Sequence, residues 1–155
     1  MTTAEDLLKI KDKDVELICV KPDSTIYEAL KLMNQYKIGA ILVEDGGEIV
    51  GIWTERDLMR NILEEGFDIK TAKIKDYMTT SLVSVEHDEN IYALQDKFLG
   101  IRLRHLLVRK EGKYIGLLSV GDVIKANLNE KNEELKKLNA IVSWEYYENW
   151  QWKKK

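Results

Sequence analysis

Val20-Lys-Pro-Asp-Ser-Thr-Ile-Tyr27 is answered by Val85-Glu-His-Asp-Glu-Asn-Ile-Tyr92, and the match continues without a gap through residues 59 and 124 at a constant offset of 65. Nine of the forty paired positions are identical: Val20/Val85, Asp23/Asp88, Ile26/Ile91, Tyr27/Tyr92, Leu42/Leu107, Val43/Val108, Gly47/Gly112, Gly51/Gly116 and Asp57/Asp122. Most other pairs keep apolar opposite apolar. A fixed internal period marks a repeated structural unit. A duplicated unit packs against its twin about a pseudo-twofold axis, so equivalent clefts arise in pairs. Differences between the copies then decide which cleft is used.

Each copy reads as strand, helix, strand, strand, helix. In the first, residues 18–20 form a strand and Pro22 ends it in a turn. Ser24 or Thr25 caps a helix, with Glu28 three residues after Thr25 in capping-box spacing. Ile26, Ala29, Leu30, Leu32 and Met33 follow near helical period. The apolar run at residues 40–43 suits a strand covered on both faces. Asp45-Gly46-Gly47 turns the chain into a hairpin, residues 49–53 return, and residues 54–65 form a helix. The second copy predicts strands at 82–85, 105–108 and 114–118 and helices at 90–99 and 119–128. A unit this small cannot bury its own sheet face alone, so the expected fold is α+β, two β-α-β-β-α repeats packed sheet to sheet.

The expected division is 1–70 for a lead helix and the first repeat, 71–128 for a connector and the second, and 129–155 for a tail. The tail carries a helical stripe of Leu128, Leu135, Leu138 and Val142. Three of the four tryptophans follow, Trp144, Trp150 and Trp152. Leu135, Leu138, Trp144, Tyr147 and Trp150 dock on the protein's own core, or the Trp/Tyr cluster forms a dimer contact. Lys153, Lys154 and Lys155 read as a solvated end.

A net charge of −3 argues against general binding to nucleic acid. No stretch reaches the roughly 18 apolar residues of a membrane helix, and the N-terminus has no signal-peptide core. The expectation is a cytoplasmic protein without membrane or nucleic-acid partners. The one cysteine, Cys19, sits in an apolar run and reads as a strand residue. His87 and His105 lack metal-ligand spacing, and no Walker loop, nucleophile elbow or dinucleotide glycine fingerprint occurs. No catalytic residue and no required cofactor is expected.

Thr54-Glu-Arg-Asp57 and Ser119-Val-Gly-Asp122 each place a hydroxyl at a helix start and a carboxylate three residues on. Read as structure, each is a capping box. Read as a site, the carboxylate accepts hydrogen bonds from vicinal ribose hydroxyls, while the hydroxyl and the free helix N–H groups face a phosphate. A phosphate also needs cations, and here the copies differ. Copy two has Arg102, Arg104 and His105 where copy one has Lys37, Gly39 and Ala40.

Val20 to Met33, Ile38-Gly-Ala-Ile-Leu-Val43 and Gly51-Ile-Trp-Thr-Glu-Arg-Asp-Leu58 occur in order, with Ile101 to Val108 and Gly116 to Val123 in the second copy. This set resembles a tandem pair of CBS domains, named after cystathionine β-synthase, over residues 4–128. Ile74 to Thr79 is similar to the connector of such pairs. The resemblance implies a stand-alone regulatory module for adenosine-containing ligands: AMP, ADP or ATP, with NAD and S-adenosylmethionine as second choices. It assigns the ribose role to Asp57 and Asp122, with Thr54 and Ser119 beside the phosphate. In the γ subunit of AMP-activated kinase, built from such pairs, basic residues at the places of Arg104 and His105 hold the phosphate of a nucleotide whose ribose sits on the other copy's aspartate. The implied asymmetry makes the Asp57 site the better phosphate binder and the Asp122 site weaker, adenosine-selective or empty, because Ser119 and Asp122 face uncharged Gly39 and Ala40. Val20, Ile38, Val85 and Leu103 are expected to bound the adenine. Leu94 and Phe98, where the family has alanine and methionine, are expected to narrow the cleft.

The leading expectation is therefore a non-catalytic energy sensor. An adenine nucleotide would bind between the repeats and shift a homodimeric or partner-binding state of an unidentified regulated protein. The alternative is a ligand-free interaction or dimerisation domain whose motifs are helix caps.

Overall fold

The structure is a computed structural model and describes residues 1–11 and 17–136. Two three-stranded sheets form. One is ordered β1 (Cys19–Val20), β2 (Ala40–Asp45), β3 (Glu48–Thr54); the other is β4 (Ser84–Glu86), β5 (His105–Lys110), β6 (Lys113–Ser119). In each, the first strand runs parallel to the second and the second antiparallel to the third. The 65-residue offset holds in the register: Cys19 pairs with Leu42 as Ser84 pairs with Leu107, and Val43 with Gly51 as Val108 with Gly116. It holds also in the irregularity that follows Val43 and Val108.

The helices are α1 (Ala4–Ile10), α2 (Ile26–Tyr36), α3 (Glu55–Asn61), α4 (Ile91–Ile101) and α5 (Val120–Lys136), with a 3-10 turn at Ile74–Asp76. Thr25 caps α2 in the expected box: Glu28 N donates to Thr25 Oγ1 at 3.1 Å and Thr25 N to Glu28 Oε2 at 3.3 Å. Helical spacing buries Ile26, Ala29 and Met33 on α2 and Ile91, Leu94 and Phe98 on α4. Leu94 and Phe98 thus fill the core of repeat two and line neither of the clefts described below.

Helix α3 is shorter than the sequence predicts. Asn61 turns inward to accept a hydrogen bond from Trp53 Nε1 at 2.9 Å, and the next residues form turns that lead to Gly66 at φ +80°. Its counterpart α5 has no such interruption and runs past residue 128, into the first part of the expected tail. The remaining tail residues, Leu138 and Val142 through Trp152 among them, lie outside the described residues.

Each repeat has its own core. Ile41 and Val43 point into one, Leu106 and Val108 into the other. Leu42 and Leu107 point the opposite way and are still buried. That opposite face is where the repeats meet, sheet to sheet.

Chain order and packing part company at the lead segments. The sequence division groups α1 with repeat one, but Ala4 and Leu7 are buried in the core of repeat two. Ile74, from the connector, is buried in the core of repeat one. The same bonds recur in both exchanges. Ala4 N donates to Glu89 O and Glu5 N to His87 O; Ile74 N donates to Ser24 O and Lys75 N to Pro22 O. These acceptors are equivalent at the 65-residue offset, whereas the donors are 70 apart. Residues 12–16 are the difference, five extra residues after Lys11 that have no counterpart between Ser81 and Leu82. Two of the identical glycines now have a reason. A Cβ on Gly116 would lie 2.5 Å from Leu8 Cδ2 of α1, and one on Gly51 would lie 2.3 Å from Met78 Sδ of the connector. Each glycine makes room for the lead segment that crosses it.

Candidate functional site

Two clefts open where the repeats meet. The first, of about 310 Å³, takes Thr54, Arg56, Asp57 and Arg60 from repeat one and Arg102, Leu103, Arg104 and His105 from repeat two. The second, of about 330 Å³, takes Ser119 and Asp122 from repeat two and Lys37, Ile38, Gly39 and Ala40 from repeat one. Gly39 and His105 line both, so the clefts share a wall.

In cleft one the β3–α3 junction fixes the carboxylate. Thr54 N donates to Asp57 Oδ2 at 2.9 Å, Thr54 Oγ1 donates to the same oxygen at 3.1 Å, and Asp57 N donates back to Thr54 Oγ1 at 3.4 Å. The capping box is therefore formed. It holds the carboxylate still at the cleft wall and, among the described residues, leaves Oδ1 with only Arg60, 3.8 Å away. Capping and ligand binding use the same atoms in compatible ways. Ser119 and Asp122 repeat the geometry at the start of α5, with bonds of 2.7 and 3.1 Å.

Four of the chain's five arginines line cleft one. Among the described residues Arg56, Arg102 and Arg104 form no ion pair. The planar guanidinium matches phosphate oxygens in pairs, so such a concentration suits an anion. Arg102 caps the C-terminus of α4 in the left-handed region, at φ 57°, as Lys37 caps α2 at φ 54°. Both cap residues are basic and each lines a different cleft.

Cleft two is not free of charge, as the sequence suggested from Gly39 and Ala40. Lys37 reaches it from the α2 cap, and Lys11 reaches it from α1. The sequence missed Lys11, Arg56 and Arg60. Restricted arginine usage, with four of five in residues 56–60 and 102–104, was a signal for the arginines. Lys11 had none, because the exchange of lead segments is invisible to a gapless period.

The apolar assignments divide. Ile38 lines cleft two and Leu103 cleft one. Val20 and Val85 line neither; both are buried in the cores. Strands β1 and β4 are only two and three residues long, so the chain passes each cleft before the strand begins. Leu17 and Ile18 therefore line cleft two, and Leu82 and Val83 line cleft one. The Cys19 thiol is pushed up by burial, as befits a strand residue rather than a nucleophile.

His105 is held below its ordinary value of 6.5, first by burial and then by the charge of Lys11. Arg104 adds to this, and Asp122 opposes it. The folded state then binds fewer protons than the unfolded chain just below pH 6.5. Stability associated with neutral His105 is complete above that pH and falls as the pH drops through and below it. Denaturant melts should show a shallower loss of stability on acidification in His105→Gln than in the unchanged protein; equal slopes would remove His105 as the cause.

Among the described residues no group of histidine, cysteine and carboxylates could hold a metal ion, and no helix is long and apolar enough to cross a membrane.

Comparison with known proteins agrees with the two-repeat fold. The family model for the CBS domain matches residues 3–64 and 74–129. The chain is 37% identical over 153 residues to the mitochondrial CBS domain-containing protein CBSX3 of Arabidopsis thaliana, covering 94% of this chain and 74% of that protein. The crystal structure of a CBS-domain-containing protein from Agrobacterium tumefaciens superposes with a TM-score of 0.74 at 36% identity, covering 81% of this chain and 99% of the other. The crystal structure of CBSX2 in complex with AMP superposes with a TM-score of 0.62 at 28% identity, covering 74% and 90%.

Proposed function

The chain belongs to the CBS-domain family, and from that premise we propose that it is a non-catalytic sensor of an adenine nucleotide, bound in cleft one. One observation carries the reading: a single cleft joins the Thr54–Asp57 carboxylate of one repeat to Arg102, Arg104 and His105 of the other. Asp57 accepts the ribose hydroxyls through Oδ1, and the arginines face the phosphate. Leu103 and Val83 offer apolar surface for the base. The ligand bridges the repeats and so favours the arrangement in which they are closest. The relative solved with AMP supports the ligand class.

Size selects within that class. A cavity of about 310 Å³ is near the lower end of the roughly 300–1,000 Å³ of small-molecule sites. A mononucleotide suits it better than a dinucleotide. AMP is the first choice, ADP and ATP the next, and NAD the last by size; S-adenosylmethionine ranks with NAD because it brings a sulfonium cation and no phosphate to a cleft lined by four arginines. The state that responds is a homodimer or a complex with a regulated protein, and the response cannot exceed the ligand's difference in affinity for the two states.

Calorimetric titration of ligand-free protein with these five compounds tests the reading. AMP should bind best and saturate at about one per chain. No heat with any of them, and no thermal stabilisation, would sink it.

A further inference from the structure

One of the differences between clefts one and two lies on the exchanged lead segments. The lead segments match at an offset of 70, which sets Lys11 opposite Ser81. Ser81 lines cleft one and Lys11 lines cleft two. Lys11 Nζ lies 2.8 Å from Asp122 Oδ2 and donates to the Leu117 carbonyl oxygen at 2.9 Å. In cleft one the ion pair of Asp57 among the described residues is the looser Arg60 contact of 3.8 Å, from a side chain 73% exposed.

We propose that Lys11 is an internal occupant of cleft two: its ammonium holds the Asp122 carboxylate against a ligand's ribose hydroxyls, so that the pair binds one nucleotide, in cleft one. This rests on the nucleotide-binding reading above. Asp122 Oδ2 accepts from Ser119 N at 2.7 Å and from the Lys11 ammonium, whereas the equivalent second bond on Asp57 Oδ2 comes from the neutral Thr54 hydroxyl. An incoming ribose then meets a carboxylate already neutralised by an ammonium 2.8 Å away, and it gains both carboxylate oxygens only if Lys11 gives up a charge-assisted bond. The displaced ammonium would also lose the Leu117 carbonyl. Leu8 on Gly116 and the burial of Ala4 and Leu7 fix α1 on repeat two, so the ammonium leaves Asp122 only by rotation of its own side chain. Apparent affinity at cleft two is the intrinsic affinity multiplied by the fraction of time that Lys11 is away from Asp122.

Lys11→Met removes the ammonium and keeps the apolar stem against α1's neighbours. Equilibrium dialysis with AMP on the full chain then counts sites. The unchanged protein and Lys11→Arg, which retains the ion pair, should saturate at about one AMP per chain, and Lys11→Met at about two. Lys11→Met combined with Asp57→Ala should return to about one, now in cleft two. Thermal melts of each variant establish that α1 remains docked. If Lys11→Met stays at one or loses affinity, or if the unchanged protein already takes two, the occupant role is wrong and the sensor reading stands. If neither protein binds AMP, the sensor reading fails and the occupant role fails with it.

Discussion

Asp57→Ala should weaken AMP binding by roughly 100-fold or more while leaving the fold intact. Hydrogen bonds to a charged acceptor contribute about 1.5–3 kcal/mol each, and a ribose offers two hydroxyls. Loss of both bonds, about 3–6 kcal/mol, exceeds the roughly 2.8 kcal/mol that 100-fold requires. The structural cost is smaller. Removing Asp57 breaks the box at the start of α3, and capping interactions contribute about 1 kcal/mol. The separation of these magnitudes makes the experiment decisive. Asp57→Asn keeps an acceptor for Thr54 N and removes the charge, so it should recover most of the stability and little of the binding. Asp122→Ala provides the contrast: its carboxylate is already held by Lys11, so AMP affinity should change several-fold at most. Calorimetry and urea denaturation on the same preparations read both quantities. Equal binding by Asp57→Ala and the unchanged protein would leave the carboxylate as a helix cap and nothing more.

The parts of the fold that were legible in the sequence are those set by local chemistry and by the internal repeat. The run at residues 40–43 is apolar throughout because β2 is covered on one side by its own helices and on the other by the second repeat. Thr25 and Glu28 announce a helix start because a capping box is a four-residue event. The pairing of Asp57 with Arg104 and His105 across repeats was legible only through family resemblance, since 47 residues separate Asp57 from Arg104 and no local pattern joins them. The exchange of lead segments was not legible. Its donors repeat at 70 and its acceptors at 65, so a search for one period finds the repeats and misses the pieces that cross between them. Lys11 was lost for that reason. Val20 and Val85 were misplaced for a different one: apolar pattern assigns residues to buried positions and does not distinguish core from cleft wall.

Trp53→Ala should destabilise the protein by about 3–5 kcal/mol, a large part of the roughly 5–15 kcal/mol that holds a domain of this kind together. Trp53 is fully buried in the core of repeat one among Ile26, Ile41 and Ile74. Its loss leaves a cavity and removes the donor to buried Asn61. Repeat two solves the same problem without polar atoms: at the 65-residue offset Trp53 corresponds to Leu118 and Asn61 to Ala126, both buried in its core. The repeats thus contain two alternative fillings of one site, an aromatic–amide pair and an aliphatic pair. Each is self-consistent and their hybrids are not. Trp53→Leu alone leaves the Asn61 carbonyl buried without a donor, and Asn61→Ala alone leaves the indole N–H without an acceptor. An unpaired buried group costs about 1–3 kcal/mol. The double change Trp53→Leu/Asn61→Ala installs repeat two's filling in repeat one and removes both orphans. Its destabilisation should fall short of the sum of the single changes by about 1 kcal/mol or more. Additivity within about 0.5 kcal/mol, the behaviour of independent sites, would mean that the hydrogen bond contributes little and that packing volume alone keeps tryptophan at this position.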